Sequence, residues 1–133
     1  MTRVSQSDTL TSTSTLDTLL NHVSIRNYTD KDIPEGVMHT LLNAARRSPT
    51  SSNMQAYSFI VVRDQAKKAK LAEFAGGQRH IDECPVFVAI CADIHRLRRA
   101  TEMHGKQLAQ NTENTLVATV DAAIAGMSLA TAA

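Results

Sequence analysis

Between Leu116 and Ala133 the chain carries one charged residue, Asp121, in a run otherwise made of small and apolar side chains with a few hydroxyls. An apolar helix of this length needs cover, from the rest of the chain, from another subunit or from lipid. Its alanines, threonines and Gly126 are weakly hydrophobic, and an ionised Asp121 near the middle would be costly in hydrocarbon. A core or interface helix is therefore expected over Glu113 to Ala133, with Leu116, Val120, Ile124 and Met127 along one side. A membrane span is not expected.

The remaining chain must supply that cover, and 133 residues suit one domain with a substantial core. Hydrophobic residues at 43% and charged residues at 20% match soluble globular averages and argue against disorder or a fibrous repeat. A formal net charge of +1 provides no field to attract nucleic acid or an anionic membrane, so neither partner is expected. Cys84 and Cys91 could close only one small loop, and no secretory leader is recognisable, so the expected setting is the reducing cytoplasm. Residues 1–15 are mostly Ser and Thr and read as a disordered tail, with a single domain from 16 to 133. A transit peptide would be richer in arginine than this segment, which has only Arg3 and already contains Asp8.

Leu16, Leu19, Leu20 and Val23 fall at helical spacing after Thr15, a candidate N-cap. Pro34 and Glu35 open a second helix with an apolar face of Val37, Leu41, Leu42, Ala44 and Ala45, ending near Arg47. Two short β-rich runs, Phe59 to Arg63 and Pro85 to Ala92, read as buried strands. Between them Ala66, Ala69, Leu71, Phe74 and Ala75 mark a helix with lysines on its open face, stopped by Gly76 and Gly77. A basic stretch from His95 to Arg99 then leads through Gly105 to the long apolar segment. The pattern predicts an α+β fold with helices packed on two adjacent strands, whose relative direction the sequence does not give.

Several common chemistries lack their signatures. There is no GxGxxG, no GK[ST] phosphate loop and no HExxH. His80, Cys84, Cys91 and His95 form a conceivable zinc set, yet there is no CxxC and Cys91 ends an apolar strand, where cysteine serves as a small hydrophobe. No GxSxG frame orients a nucleophile, and His39 and His104 stand isolated.

Three segments are harder to assign to packing: His22 to Asp30, Ser48 to Val62 and Gly76 to His80. Arg26 offers a planar fork of donors suited to phosphate, and His22 and Ser24 add donors beside it. The competing reading pairs Arg26 with Asp30 or Asp32 on the surface, treats Asn53 and Gln55 as plain loop amides, and makes Gly76 and Gly77 only a helix stop with Gln78 exposed.

Together these segments resemble the FMN-dependent nitroreductase family. The family's N-terminal Arg or His, Ser, any residue, Arg pattern is matched by His22, Val23, Ser24, Ile25 and Arg26. Its Ser-Pro-Ser-Ser-x-Asn-x-Gln loop is matched by Ser48, Pro49, Thr50, Ser51, Ser52, Asn53, Met54 and Gln55, the more specific of these two. The oxygen-insensitive subgroup that prefers NADPH has a Gly-Gly-Gln-basic-His segment, here Gly76, Gly77, Gln78, Arg79 and His80.

The resemblance implies an FMN enzyme that takes hydride from NADPH or NADH and passes it by a ping-pong cycle to nitroaromatics, quinones or flavin. It implies His22, Val23, Ser24 and Arg26 on the phosphate tail and Gln78 at the isoalloxazine edge. The loop contributing Pro49, Thr50, Ser51, Asn53 and Gln55 would come from the partner subunit of a homodimer centred on the long helix. No side chain need act as acid or base. Val23 stands where the family often has a polar donor. Family members are nearly twice as long, so the sequence is expected to be the truncated N-terminal part of such a domain, and the alternative function is a non-catalytic remnant that dimerises or binds flavin without turnover.

Overall fold

The computed structural model describes residues 13–109 and 111–133; most of the expected N-terminal tail, residues 1–12, lies outside them. Thr13 accepts a hydrogen bond from the Leu16 amide (3.2 Å) and so caps α1 (Ser14–Leu20), two residues before the expected cap at Thr15. Ser14 and Thr15 are therefore helical, and Val23 lies beyond the helix end. Helix α2 (Glu35–Ala45) starts after Pro34 as expected, but stops before Arg46. Its buried residues are Met38 and Ala45, whereas Val37 and Ala44 of the expected apolar face are exposed.

The two strands, β1 (Tyr57–Val62) and β2 (Phe87–Ala92), pair antiparallel with Tyr57 opposite Ala92 and Val62 opposite Phe87. The connection between them holds α3 (Gln65–Phe74), capped by Asp64, and the short α4 (Arg79–Glu83). Gly76 and Gly77 both adopt positive φ, 84° and 76°, ending α3 where an L side chain would be strained. The lysine-rich face of α3 is not wholly open: Lys68 is 4% exposed and donates to the Cys84 carbonyl, while Phe74 is 74% exposed under Lys70. Neither strand is fully buried: in β1 only Tyr57 and Val62 are, and β2 is half-buried with Ile90 and Ala92 exposed.

The basic run after β2 folds as α5 (His95–Met103), with Leu97 and Thr101 half-buried and its arginines exposed, where the sequence had suggested only a basic stretch. The long apolar segment is α6 (Thr112–Ala132), capped by Asn111 and packed against α2, β1 and β2. It is long and apolar enough to cross a membrane, yet it lies on the sheet of this fold. Its covered side is the small-residue side, Ala118, Ala122, Ala125 and Leu129 with Asp121, meeting Tyr57 and Phe59 of β1. Leu116, Val120, Ile124 and Met127 lie on the opposite side and remain exposed. Small side chains on α6 let its backbone approach the sheet closely, which is why the larger apolar residues were displaced to the outside.

Candidate functional site

The Ser48–Gln55 loop joins α2 to β1, and three of its residues hold a backbone that L-amino acids rarely adopt. Ser52, Asn53 and Gln55 have φ of 50°, 54° and 50°. Left-handed conformations cost roughly 1 kcal/mol for an ordinary side chain and persist where surrounding contacts fix them.

Those contacts come from residues of opposite charge type. Asp121, 1% exposed, receives the Ser51 amide on Oδ1 (3.1 Å) and the Ala56 amide on Oδ2 (3.2 Å), so one carboxylate spans both ends of the strained stretch. Arg96 of α5 donates from its guanidinium to the Gln55 carbonyl (2.6 Å). Within the loop, Thr50 Oγ1 accepts from the Gln55 amide and Asn53 Oδ1 from the Gln55 side chain. Ser48 and Ser128 join hydroxyls at 2.7 Å, tying the start of the loop to α6.

The strand start is fixed from the other side as well. The Ala56 carbonyl accepts from the Asp93 amide (2.9 Å), and the Asp93 carboxylate accepts the Ser58 hydroxyl and the His95 amide. The Ser58 hydrogen bond, helped by the His95 amide, holds the Asp93 carboxyl below the usual carboxylate range. Asp93 thereby directs the chain into α5 and places Arg96 over the loop.

Among the residues expected to bind a cofactor, Pro49, Thr50, Ser51, Asn53 and Gln55 share this one loop. His22, Val23, Ser24 and Arg26 lie on an exposed extended segment after α1, and Gln78 is the exposed N-cap of α4. Among the described residues, none of the three cavities at the Tyr28–Cys84, Leu19–Met127 and His39–Arg96 surfaces gathers the three groups. Asp32, one of the two carboxylates that competed for Arg26, pairs instead with Arg63 (2.5 Å), and no ion pair of Arg26 occurs among the described residues.

Gln55 also lines an open groove of about 920 Å³ between α2, β1 and α5. His39, Arg46, Arg47 and Arg96 line it with no carboxylate among them, which favours anionic ligands over cationic ones. A smaller cavity of about 300 Å³ between Tyr28, Ile33, Cys84 and Phe87 is mostly apolar and holds none of the expected cofactor residues. Both cysteines are free thiols, Cys84 buried and Cys91 half-buried.

The same loop order, with the antiparallel pair and the long helix over it, recurs in known proteins. The model of the Nitroreductase family matches residues 19–133. The chain belongs to the nitroreductase family. It is 38% identical over 122 residues to an FMN reductase (NADPH) of Bacillus subtilis, covering 90% of this chain and 49% of that protein. It is 33% identical over 119 residues to an oxygen-insensitive NADPH nitroreductase of Salmonella typhimurium, covering 90% and 48%. Among solved structures, that of Bacillus megaterium NfrA2 superposes with a TM-score of 0.89 at 34% identity, covering 91% of this chain and 50% of that one. The NfrA1 nitroreductase of B. subtilis gives 0.86 at 37% identity, covering 89% and 49%. The chain thus spans about half the length of the relatives it matches.

Within this nitroreductase fold, sequence reasoning overlooked Asp121, Asp93 and Arg96. Asp121 carried a signal, since a lone carboxylate in an apolar helix must find donors. Asp93 stands directly after an apolar strand, a place where Asp starts helices. Arg96 is hidden in a basic run and offers no such mark.

Proposed function

We propose that this chain is the flavin-binding part of an NAD(P)H-dependent oxidoreductase of the nitroreductase family. When bound, FMN supplies a two-electron carrier between nicotinamide and a nitroaromatic, quinone or free flavin. The observation carrying this reading is the Ser48–Gln55 loop: the more specific of the first two matched motifs is also the one whose backbone is strained and held from both sides. In this reading His22, Ser24 and Arg26 hold the phosphate tail, with Val23 contributing only backbone. Gln78 meets the ring edge, and Pro49, Thr50, Ser51, Asn53 and Gln55 come from a second subunit. Arg26 makes no ion pair with a carboxylate among the described residues, which leaves its guanidinium open to an anion.

The second subunit is proposed to dock on the exposed side of α6. Leu116, Val120, Ile124 and Met127 recur at i, i+4, i+8 and i+11, a continuous apolar stripe of the kind that isologous dimers bury. The likeness to an FMN reductase (NADPH) and to an NADPH nitroreductase supports NADPH as donor, with NADH the other possibility. A cytoplasmic setting accords with two free thiols.

The test is an absorbance spectrum of the 133-residue protein after mixing with FMN and desalting. Retained flavin bands that bleach with NADPH and return with a quinone are the expected result. A soluble, folded protein that holds flavin without bleaching would leave a binding remnant, and one that holds none would defeat the proposal.

A further inference from the structure

Asp121 and Arg96 act on the loop through its backbone, one on N–H groups and the other on a carbonyl. The Asp121 carboxylate is buried to 1% and has both oxygens committed, to amides that are five residues apart in sequence. Between those amides lie the three non-glycine left-handed residues of the described chain, Ser52, Asn53 and Gln55, whose side chains are exposed. Without the carboxylate, the Ser51 and Ala56 amides lose their acceptor, and the turn keeps only its own hydrogen bonds, from the Asn53 amide to the Thr50 carbonyl, the Met54 amide to the Ser51 carbonyl and the Gln55 amide to Thr50 Oγ1, with the Asp93 and Arg96 contacts beside it. Arg96 reaches the same turn from α5 and takes the Gln55 carbonyl, so that the chain on each side of the Gln55–Ala56 peptide is held by a separate helix.

We infer that Asp121 and Arg96 are positioning residues that hold residues 51–56 in a flavin-receiving shape, Asp121 from α6 and Arg96 from α5. The inference rests on the flavin reading proposed above. The Asp121 carboxylate acts through the Ser51 and Ala56 amides, and Arg96 through the Gln55 carbonyl. Each fixes where Ser51, Asn53 and Gln55 present their polar groups, and pre-set geometry spares the ligand the cost of ordering a loop. Because Asp121 sits on the helix whose outer side is proposed to meet the second subunit, the loop is fixed by the same element that would set the subunit contact.

Asp121→Asn separates positioning from packing. The amide is nearly isosteric, yet it offers one carbonyl oxygen and one NH2 group where two acceptors are needed, so one backbone amide faces a donor. Arg96→Met removes the contact to Gln55 at an exposed residue and leaves the core untouched. The experiment measures, for the full chain and both variants, FMN dissociation constants by flavin fluorescence, thermal melts by circular dichroism, and amide exchange at Ser51 and Ala56.

The expected result is cooperative melting in all three proteins, faster exchange at Ser51 and Ala56 in Asp121→Asn, and FMN binding weakened on the order of tenfold. Arg96→Met should weaken FMN binding less, about threefold. Unchanged FMN affinity in either cooperatively folded variant overturns the positioning role of the residue replaced. If Asp121→Asn fails to fold, Arg96→Met decides alone, and wild-type affinity there overturns the inference. Failure of the unsubstituted chain to bind FMN overturns the flavin reading and the positioning role with it, while unaltered exchange at Ser51 and Ala56 in a folded Asp121→Asn overturns the clamp itself.

Discussion

A methyl group added to Gly126 of α6 would stand 2.9 Å from Cδ1 of Ile90 on β2. The glycine leaves no room for a side chain between the long helix and Ile90 as it stands. Glycine within a helix is about 1 kcal/mol less favourable than alanine, so its presence there needs a packing reason. Ile90 is 36% exposed and Cδ1 is the free end of its side chain, so a rotamer change can absorb one methyl group.

Gly126→Ala should therefore leave stability within about 1 kcal/mol of the parent, the propensity gain offsetting the shift of Ile90. Gly126→Leu cannot be absorbed in this way and should destabilise by about 1–3 kcal/mol. Urea denaturation of both variants checks this. Equal loss in the two would mean that the α6–β2 approach is limited by backbone and not by the Ile90 side chain.

Lys68 points inward from α3 and donates its amine to the Cys84 carbonyl at 2.5 Å. Replacing it by methionine keeps the apolar stem but leaves a buried carbonyl without this donor, a loss of about 1–3 kcal/mol. Burial pushes the Cys84 thiol up, with Lys68 acting against the shift, so the thiol stays protonated near neutral pH. In a short iodoacetamide pulse at neutral pH, mass spectrometry should find Cys91 modified ahead of Cys84, and denaturant should abolish the difference.

Asp93 makes the fold sensitive to acid. Its carboxyl is held below the usual range by the Ser58 hydroxyl and then by the His95 amide. A carboxylate with a depressed folded value contributes stability that is fully present above its unfolded value, about 4, and is lost as pH falls through the lower folded value. Asp93→Asn should thus lower the melting temperature at pH 7, and the gap between variant and parent should narrow as pH drops below about 4. Melting curves over that range decide the matter; a gap that stays constant would show that the Ser58 and His95 contacts do not depend on the charge.

Legibility in the sequence followed how local each signal was. The positions of β1, β2, α2 and α3 could be read to within about two residues, because Pro34, Gly76, Gly77 and the β-branched runs act on their immediate neighbours. The Ser48–Gln55 loop was legible as a motif, though its strain was not, since it depends on Asp121 far along the chain. Which side of α6 meets the sheet was left open, because a stripe of Leu116, Val120, Ile124 and Met127 suits a core as well as a subunit interface. Close packing on a sheet selects alanine and glycine, and the larger residues turn outward. Helix α5 was missed because its run of basic residues stood out, although polar and apolar side chains segregate on it, and because the contact of Asp93 with the His95 amide at its start shows only in the fold.

That outward side of α6 gives the last expectation. Leu116 is 61% exposed and Val120 54%, with Ile124 and Met127 continuing the stripe. Burying four such side chains against a second copy removes enough apolar surface to contribute several kcal/mol at about 25 cal/mol per Å², and an exposed stripe of this kind on a monomer favours aggregation. Val120→Glu places a carboxylate in its middle, and across a two-fold axis the two new charges would face the same apolar surface without partners. Light scattering after size exclusion should show the parent as a dimer and the variant as a monomer. FMN retention should fall with it, because the flavin in this reading needs Ser51, Asn53 and Gln55 from the other subunit. A variant that stays dimeric would place the subunit contact elsewhere, and a monomer that keeps its flavin would make the site complete within one chain.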